Sequence, residues 1–470
     1  MDGLSCNEIS LQKIKNSNDT FRYDAEYFSK EILRIEEDIK KREHFLLKNN
    51  EVVSGPFGST ITSTAYMLKG DVPFIRIENI KGGFHINREN LIYISKKDNN
   101  KILNSQLFTD DLILSKVGNS IGFFARVDDE IKTCNISENN IGIKLKNYDL
   151  QTKHAILCYL NSKYGQQLVL RRRSGNAQPK LNVSDMCMVP IPILRRDFTE
   201  RLSDLINESD ACIRQSKEKY REAEKYLLTI LEFDNNKIST DNISEVKASE
   251  SFYNSGRLDA EYYQRYYDEY KKMLNTKETV LSLCSVHDKN FLPEDDVAYK
   301  YIELANVDDY GFIDNVEINY GYNLPTRARR KVKSGQIIVS SIEGSIQKCA
   351  IISDEYNGAI CSTGFYVVDS NNINPETLLV LFKSQIIQAL MKQRCSGSIL
   401  MSISKEEFNN LPIPEIRTVD QNYISNKIKM AFELRRKSKM LLEYAKKAIE
   451  LAIDKDEDLA LSYLEKHKHA

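Results

Sequence analysis

LCYLNSKYGQQLVLRRRSGNAQPKLNVSDMCMVPIP, residues 157–192, is matched without a gap by LVLFKSQIIQALMKQRCSGSILMSISKEEFNNLPIP, residues 379–414. The offset is 222 throughout. Ten of the thirty-six positions are identical, among them Leu157/Leu379, Ser162/Ser384, Arg172/Arg394, Ser174/Ser396, Gly175/Gly397 and Pro190/Pro412. Average composition would give roughly two. A repeat of this length exceeds the ~20–50 residues of a solenoid unit and marks a duplicated domain. Two similar modules on one chain suit a target that is itself read in two halves.

Working outward, the repeat continues with small changes of register. Arg22-Tyr-Asp-Ala-Glu-Tyr-Phe28 returns as Arg257-Leu-Asp-Ala-Glu-Tyr-Tyr263, and Leu112-Ile-Leu-Ser-Lys-Val117 returns as Ile337-Ile-Val-Ser-Ser-Ile342. Phe74–Ile80 has the apolar rhythm of Tyr301–Val307. Short apolar or alternating runs at 72–77, 111–115, 141–145, 336–340 and 364–368, punctuated by Gly, Asn and Asp, predict strands. Apolar spacing of three and four predicts one helix in each copy, near 151–170 and 375–392. Each body then leaves through Pro-Ile-Pro, which can continue neither a helix nor a central strand.

After each Pro-Ile-Pro comes a long amphipathic helix, about 197–233 and 419–453. Leu202, Ser209, Ser216, Ala223 and Ile230 fall seven apart, as do Ile206, Ile213, Tyr220 and Leu227. The second helix repeats the seam through Ile424, Ala431, Ser438, Ala445 and Ala452, with Ile428, Leu434, Leu441 and Ile449 beside it. A sustained heptad without Pro or Gly predicts a coiled coil. Burying the two stripes on each other, antiparallel, gives an α+β fold. Two similar β-rich domains are then separated by two long helices in an antiparallel coiled coil with pseudo-two-fold symmetry. The expected boundaries are 1–195 for the first domain, 196–235 for the central helix, 236–417 for the second domain and 418–470 for the C-terminal helix and tail. At 1.5 Å per residue each helix is roughly 50 Å long, a length suited to setting the spacing between DNA half-sites, which recur every ~34 Å.

The bulk numbers narrow the class. At 470 residues two to three folding units are expected. No run of eighteen apolar residues exists and the N-terminus lacks a signal-peptide pattern, so a cytoplasmic protein without membrane association is expected. Nine scattered cysteines with no Cys-x-x-Cys pair read as reduced, packed thiols rather than metal ligands. The net charge of −1 argues against a uniformly basic nucleic-acid binder, but Arg171-Arg172-Arg173 and the run Arg327, Arg329, Arg330, Lys331 concentrate positive charge locally. Motifs for base methylation, Walker A phosphate binding and dinucleotide binding are absent. A self-sufficient enzyme is therefore disfavoured.

The chain resembles the specificity (S) subunits of type I restriction-modification enzymes. The resemblance runs through residues 53–59, 70–77, 112–118, 174–182 and 189–192 of the first half. It continues through 362–366 and 403–414 of the second, with a long helix after each copy. It implies two target recognition domains reading an asymmetric, bipartite double-stranded DNA target. The helices would serve as spacer and docking site for two methyltransferase subunits, and restriction (translocase/nuclease) subunits would join that core. S-adenosylmethionine, ATP and Mg would sit on those partners, leaving this chain without cofactor, metal or catalytic residues.

Within that reading, Arg171, Arg172, Arg173, Ser174 and Asn176, with Arg394, Ser396 and Ser398 in the second copy, are the expected DNA-proximal turn. Ser54 and Ser59 bracket a glycine-containing loop suited to a phosphate. Arg327, Arg329, Arg330 and Lys331 are a further basic candidate with no counterpart in the first copy. Leu202, Ile206, Ile213, Tyr220, Leu227, Ile424, Leu434, Leu441 and Ile449 are the expected spacer interface. The competing reading is a protein-interaction scaffold whose duplicated heads bind proteins and not DNA.

Overall fold

The computed structural model describes residues 7–17, 22–175, 178–234, 238, 243–249, 251, 256–397 and 401–467. Contacts divide the chain into two units, residues 1–212 with 436–470, and residues 213–435. Each unit holds one globular head and one end of each long helix.

The first head carries two sheets. In the larger, the order is Val52–Ser54, Asn140–Ile143, Leu112–Ser115, Phe124–Arg126, Phe84–His85. In the smaller it is Ile92–Ile94, Val72–Ile75, Thr133–Ile136, Leu107–Phe108. The second head repeats this plan with Ser285–His287, Phe365–Asp369, Ile337–Ser340, Cys349–Ile351, and with Glu317–Tyr320, Ala298–Ile302, Ile360–Ser362, Ala328–Lys331. The order matches strand for strand, short of the Phe84–His85 edge. So does the direction: one parallel pair lies inside each smaller sheet, Val72–Ile75 with Thr133–Ile136 and Ala298–Ile302 with Ile360–Ser362. Continuous apolar runs explain the central strands. Leu112–Ser115 and Ile337–Ser340 are buried on both faces.

Where one helix per copy is expected after the sheets, the structure has two. Leu150–Asn161 is followed by Lys163–Arg171, and Pro375–Lys383 by Gln385–Arg394. The break is Ser162 in one copy and Ser384 in the other, both extended. Each hydroxyl donates to the carbonyl three residues back, Tyr159 or Leu381, at 2.6 Å. Each also accepts from the amide three residues on, capping the next helix. The Pro-Ile-Pro exit becomes a two-residue edge strand in the first head, where Ile191–Pro192 pairs with His44–Phe45.

The long helices run Arg196–Ile230 and Thr418–Asp454, and they pair within each unit. In the first, Ser209 Oγ meets Ser438 Oγ at 2.7 Å and Glu208 pairs with Lys437 at 3.2 Å. In the second, Ser216 Oγ donates to Ala431 O at 2.8 Å, Glu222 pairs with Lys427 at 2.5 Å, and Tyr226 packs on Tyr423. In the second unit residue numbers fall on one helix as they rise on the other, from 216/431 through 222/427 to 226/423, so the pairing is antiparallel. The small seam residues let the backbones come close enough for a side-chain hydroxyl to reach the opposite carbonyl. Leu202, Ile206, Tyr220, Leu227, Ile424, Leu441 and Ile449 are buried, while Ile213 and Leu434 are half-buried.

Burial on the partner helix is only part of the stripe's contact. Tyr220, Ala223, Leu227, Ile424, Ile428 and Ala431 belong to one core with Leu378, Phe382 and Leu390 of the second head. In the second unit both helices therefore lie on the second head as well as on each other. Eight cysteines, from Cys134 to Cys395, are free and buried; Cys6 lies outside the described residues. Among the described residues no helix is long and apolar enough to cross a membrane.

Candidate nucleic-acid interface

The arginine turn is built differently from its sequence expectation. Arg171 and Arg172 are not offered to solvent; both are buried. The helix Lys30–Lys40 turns Glu36 inward against them. Arg172 Nη2 donates to Glu36 Oε1 at 2.7 Å, and Arg171 donates to the other carboxylate oxygen. Arg171 Nε donates to Tyr27 O at 2.6 Å, and Arg172 also donates to Leu168 O and Met188 O at 2.9 Å. Burial pushes the Glu36 carboxyl up, but Arg172 and Arg171 outweigh it and hold the group down at about 2. Buried at 5% and 3% exposure and neutralised by one carboxylate, these guanidinium groups are out of a phosphate's reach.

Arg394 follows the same pattern. Its side chain is 13% exposed, donates to Leu390 O and faces Glu407 at 3.5 Å. The duplicated Arg-x-Asp segment locks each turn. Arg22, forked onto Asp24, donates to the carbonyls of Arg171 and Arg173. Arg257, forked onto Asp259, donates to those of Gln393 and Cys395. These residues are the frame of the turn. Two of three consecutive arginines at a helix end fall on its inner side, and the sequence hides the partner because Glu36 stands far away along the chain.

What remains exposed is the tip. Arg173 keeps 45% of its side chain in solvent. Beyond it, Ser174 bridges to Lys180, and Lys180 bridges to Val117. This brings Ser174, Lys180, Lys116 and Ser54 together, with Lys116 Nζ donating to Ser54 Oγ at 2.7 Å. Burial lowers the Lys116 pKa, Glu138 acts against this, and Lys180 adds to the lowering. Lys116 and Lys180 were missed in the sequence reading, although both stand inside repeated runs. In the second head Ser396 and Ile342 bridge to Ser402 in the same way, so the places of Lys116 and Lys180 are taken by Ser341 and Ser402. Asn176 and Ser398 lie outside the described residues.

The glycine-bracketed loop packs tightly at one end. A Cβ on Gly55 would stand 1.9 Å from Ser137 O, which only glycine avoids. Gly58 N donates to Glu138 Oε2 at 2.6 Å. Ser54 and Ser59 are exposed, as is Phe57 at 86%. The loop walls an open groove of about 590 Å³, lined also by Tyr66, Phe74, Arg76, Glu78 and Asn139.

In the second head the basic run occupies the strand Ala328–Lys331 and the residue before it. Arg327 and Lys331 are exposed, whereas Arg329 and Arg330 are half-buried. Arg327 pairs with Glu303 at 3.3 Å, Arg330 donates to Asn290 Oδ1 at 2.9 Å, and Lys331 sits 4.8 Å from the Phe291 ring centre. The corresponding strand of the first head is Leu107–Phe108, which has no cation.

No family model and no curated protein matches the sequence. The solved structures similar to it come from type I restriction-modification systems. An S subunit from M. genitalium is 13% identical with a TM-score of 0.34, over 90% of this chain and 96% of that one. The HsdS subunit from Thermoanaerobacter tengcongensis is 11% identical with a TM-score of 0.25, over 89% and 96%. A chain from a type I R-M system solved for its complex assembly and conformational transition is 11% identical with a TM-score of 0.27, over 87% and 96%. The likeness is distant.

Proposed function

We propose that this chain is the DNA-recognition subunit of a type I restriction-modification complex. It binds a bipartite, asymmetric double-stranded target, one half per head. The observation that supports this best is a shared strand plan carrying unlike chemistry at matching places that solvent reaches: Lys116 against Ser341, both half-buried, and exposed Lys180 against half-buried Ser402. A frame kept constant while its exposed side chains change is what two readers of different sequences require. The paired long helices would carry two methyltransferase subunits, with restriction subunits joining that core. S-adenosylmethionine, ATP and Mg would be held by those partners, and the chain itself would do no chemistry.

The test is a gel shift of DNA duplexes with the full chain and the subunits that co-purify with it, repeated across salt. Binding that weakens steeply with salt and prefers one split sequence supports the proposal. A second reading, a protein-binding scaffold, draws on the second head's exposed Leu292, Ile318, Tyr320 and Tyr322. It predicts a stable protein complex with no retention of any duplex.

A further inference from the structure

The end of the parallel strand in each smaller sheet carries the same backbone device with opposite charge. In the first head Arg76 N donates to Asn79 Oδ1 at 3.0 Å, and Asn79 Nδ2 ties down Asn87 O and Glu89 O. In the second, Glu303 N donates to Asn306 Oδ1 at 2.8 Å, and Asn306 Nδ2 ties down Asp314 O and Asn315 O. Strand pairing fixes the equivalence: Phe74 stands beside Asn135 as Tyr301 stands beside Ile360. The duplication has preserved the hydrogen-bond frame and reversed the side chain it presents. The frame contacts shared by the two copies are all backbone and asparagine, so they do not set the charge; Arg76 adds one contact of its own, Nη2 donating to Asn90 O at 3.2 Å.

Each of these side chains has acquired an opposite partner from a different place. Arg76 pairs with Glu78, two residues on. Glu303 pairs with Arg327, on the far side of the smaller sheet, at 3.3 Å. Both pairs are open to solvent: 30% and 48% of the side chains in the first, 42% and 61% in the second. Arg76 Nε has no hydrogen-bond partner among the described residues, and the pair lines the 590 Å³ groove. A guanidinium that solvent reaches in part, beside an exposed carboxylate, matches one G·C pair in the major groove. The fork donates to guanine O6 and N7, and the carboxylate accepts from cytosine N4.

We propose that Arg76–Glu78 and Glu303–Arg327 are specificity-determining pairs, each reading one G·C base pair in its own half-site. The proposal rests on the DNA-reading function given above. The tip residues Arg173, Lys116 and Lys180 would hold phosphate and carry no sequence information.

The experiment selects bound duplexes from a random pool, using the tagged full chain isolated with its bound subunits, and sequences them. The wild type should enrich a split motif with a G·C pair in each half. Arg76→Ala should lose preference at one position of one half, by roughly 5- to 150-fold against the other bases, and leave the other half intact. Glu303→Ala should do the reverse. Arg76→Lys, which keeps the charge without the fork, should behave like Arg76→Ala. If both alanine variants melt like the wild type and enrich its motif unchanged, the assignment is overturned. It is overturned equally if Arg76→Ala weakens all sequences alike with a shallower salt slope, the mark of a phosphate contact. A wild type that enriches no motif would instead remove the DNA-reading function and this inference with it.

Discussion

The two heads solve the same packing problem with different chemistry, and at two matched places the first uses an arginine where the second uses a neutral side chain. Where the first head places Arg171 Nε on Tyr27 O, the second places Gln393 Nε2 on Tyr262 O, at 2.6 and 2.8 Å. Opposite the first residue of the central strand stands Arg126 in one sheet and Ile351 in the other. Arg126 is buried among Asp110, Asp210 of the long helix, and His154. Ile351 packs into the apolar core, and the second head's junction with its helix uses Phe312 on Phe432 and Arg435 on Asp308. Even the matching serines differ in partner: Ser203 meets His154 at 2.9 Å, Ser425 meets Glu376 at 3.0 Å. The lesson is that the fold does not need the charge at these places: a neutral amide at Gln393 and an apolar side chain at Ile351 serve as well. The first head has taken on ionic contacts that leave it more exposed to mutation and acid.

The largest expected difference follows from Glu36. Glu36→Ala leaves Arg171 and Arg172 buried without a counter-charge and should cost the first unit about 3–5 kcal/mol. Gln393→Ala in the second head loses one neutral hydrogen bond, about 1 kcal/mol. Denaturant unfolding followed by limited proteolysis, to see which unit opens first, measures both. Equal losses would mean that the ionic contact contributes nothing special.

Acid should separate the heads next. Burial pushes His154 down to about 4, and Arg126 adds to the effect, while an unfolded histidine titrates near 6.5. Between those values the unfolded chain binds a proton that the folded chain refuses. Stability is therefore full above about pH 6.5 and falls as pH drops toward 4, by up to about 3 kcal/mol. His154→Gln should flatten that stretch of the stability–pH curve. An unchanged curve would show that some other group sets it.

The paired helices are where the units should respond alike. Ser209→Leu in one and Ser216→Leu in the other each force extra volume between close backbones, costing about 1–3 kcal/mol, read as similar shifts in melting temperature. Smallest is the effect on DNA. Lys116→Ala should weaken binding across all sequences and reduce the salt slope by about one phosphate contact. Ser341→Ala at the matching place should leave the slope unchanged in the same titration.

The duplication, the strand runs and the heptad seam were legible because each depends on local period or on repetition. Leu202, Ile206 and Ile424 could be named as buried from spacing alone, and the structure buries them. The break at Ser162 was not legible, since apolar spacing continues through it and only the hydroxyl's capping bonds interrupt the helix. Arg171 and Arg172 were misread for a different reason. An arginine run looks solvated until its counter-ion is located, and Glu36 is brought there only by tertiary folding. Lys116 and Lys180 stood in plain view within repeated runs but became a cluster only through the bridge between Val117 and Lys180.

Methylation-aware sequencing of the host genome, with this chain present and deleted, tests most directly whether one frame supports two different readers. The account predicts a split methylated motif with two unlike halves around an unread gap, lost on deletion. A motif with identical halves, or one indifferent to the deletion, would contradict it.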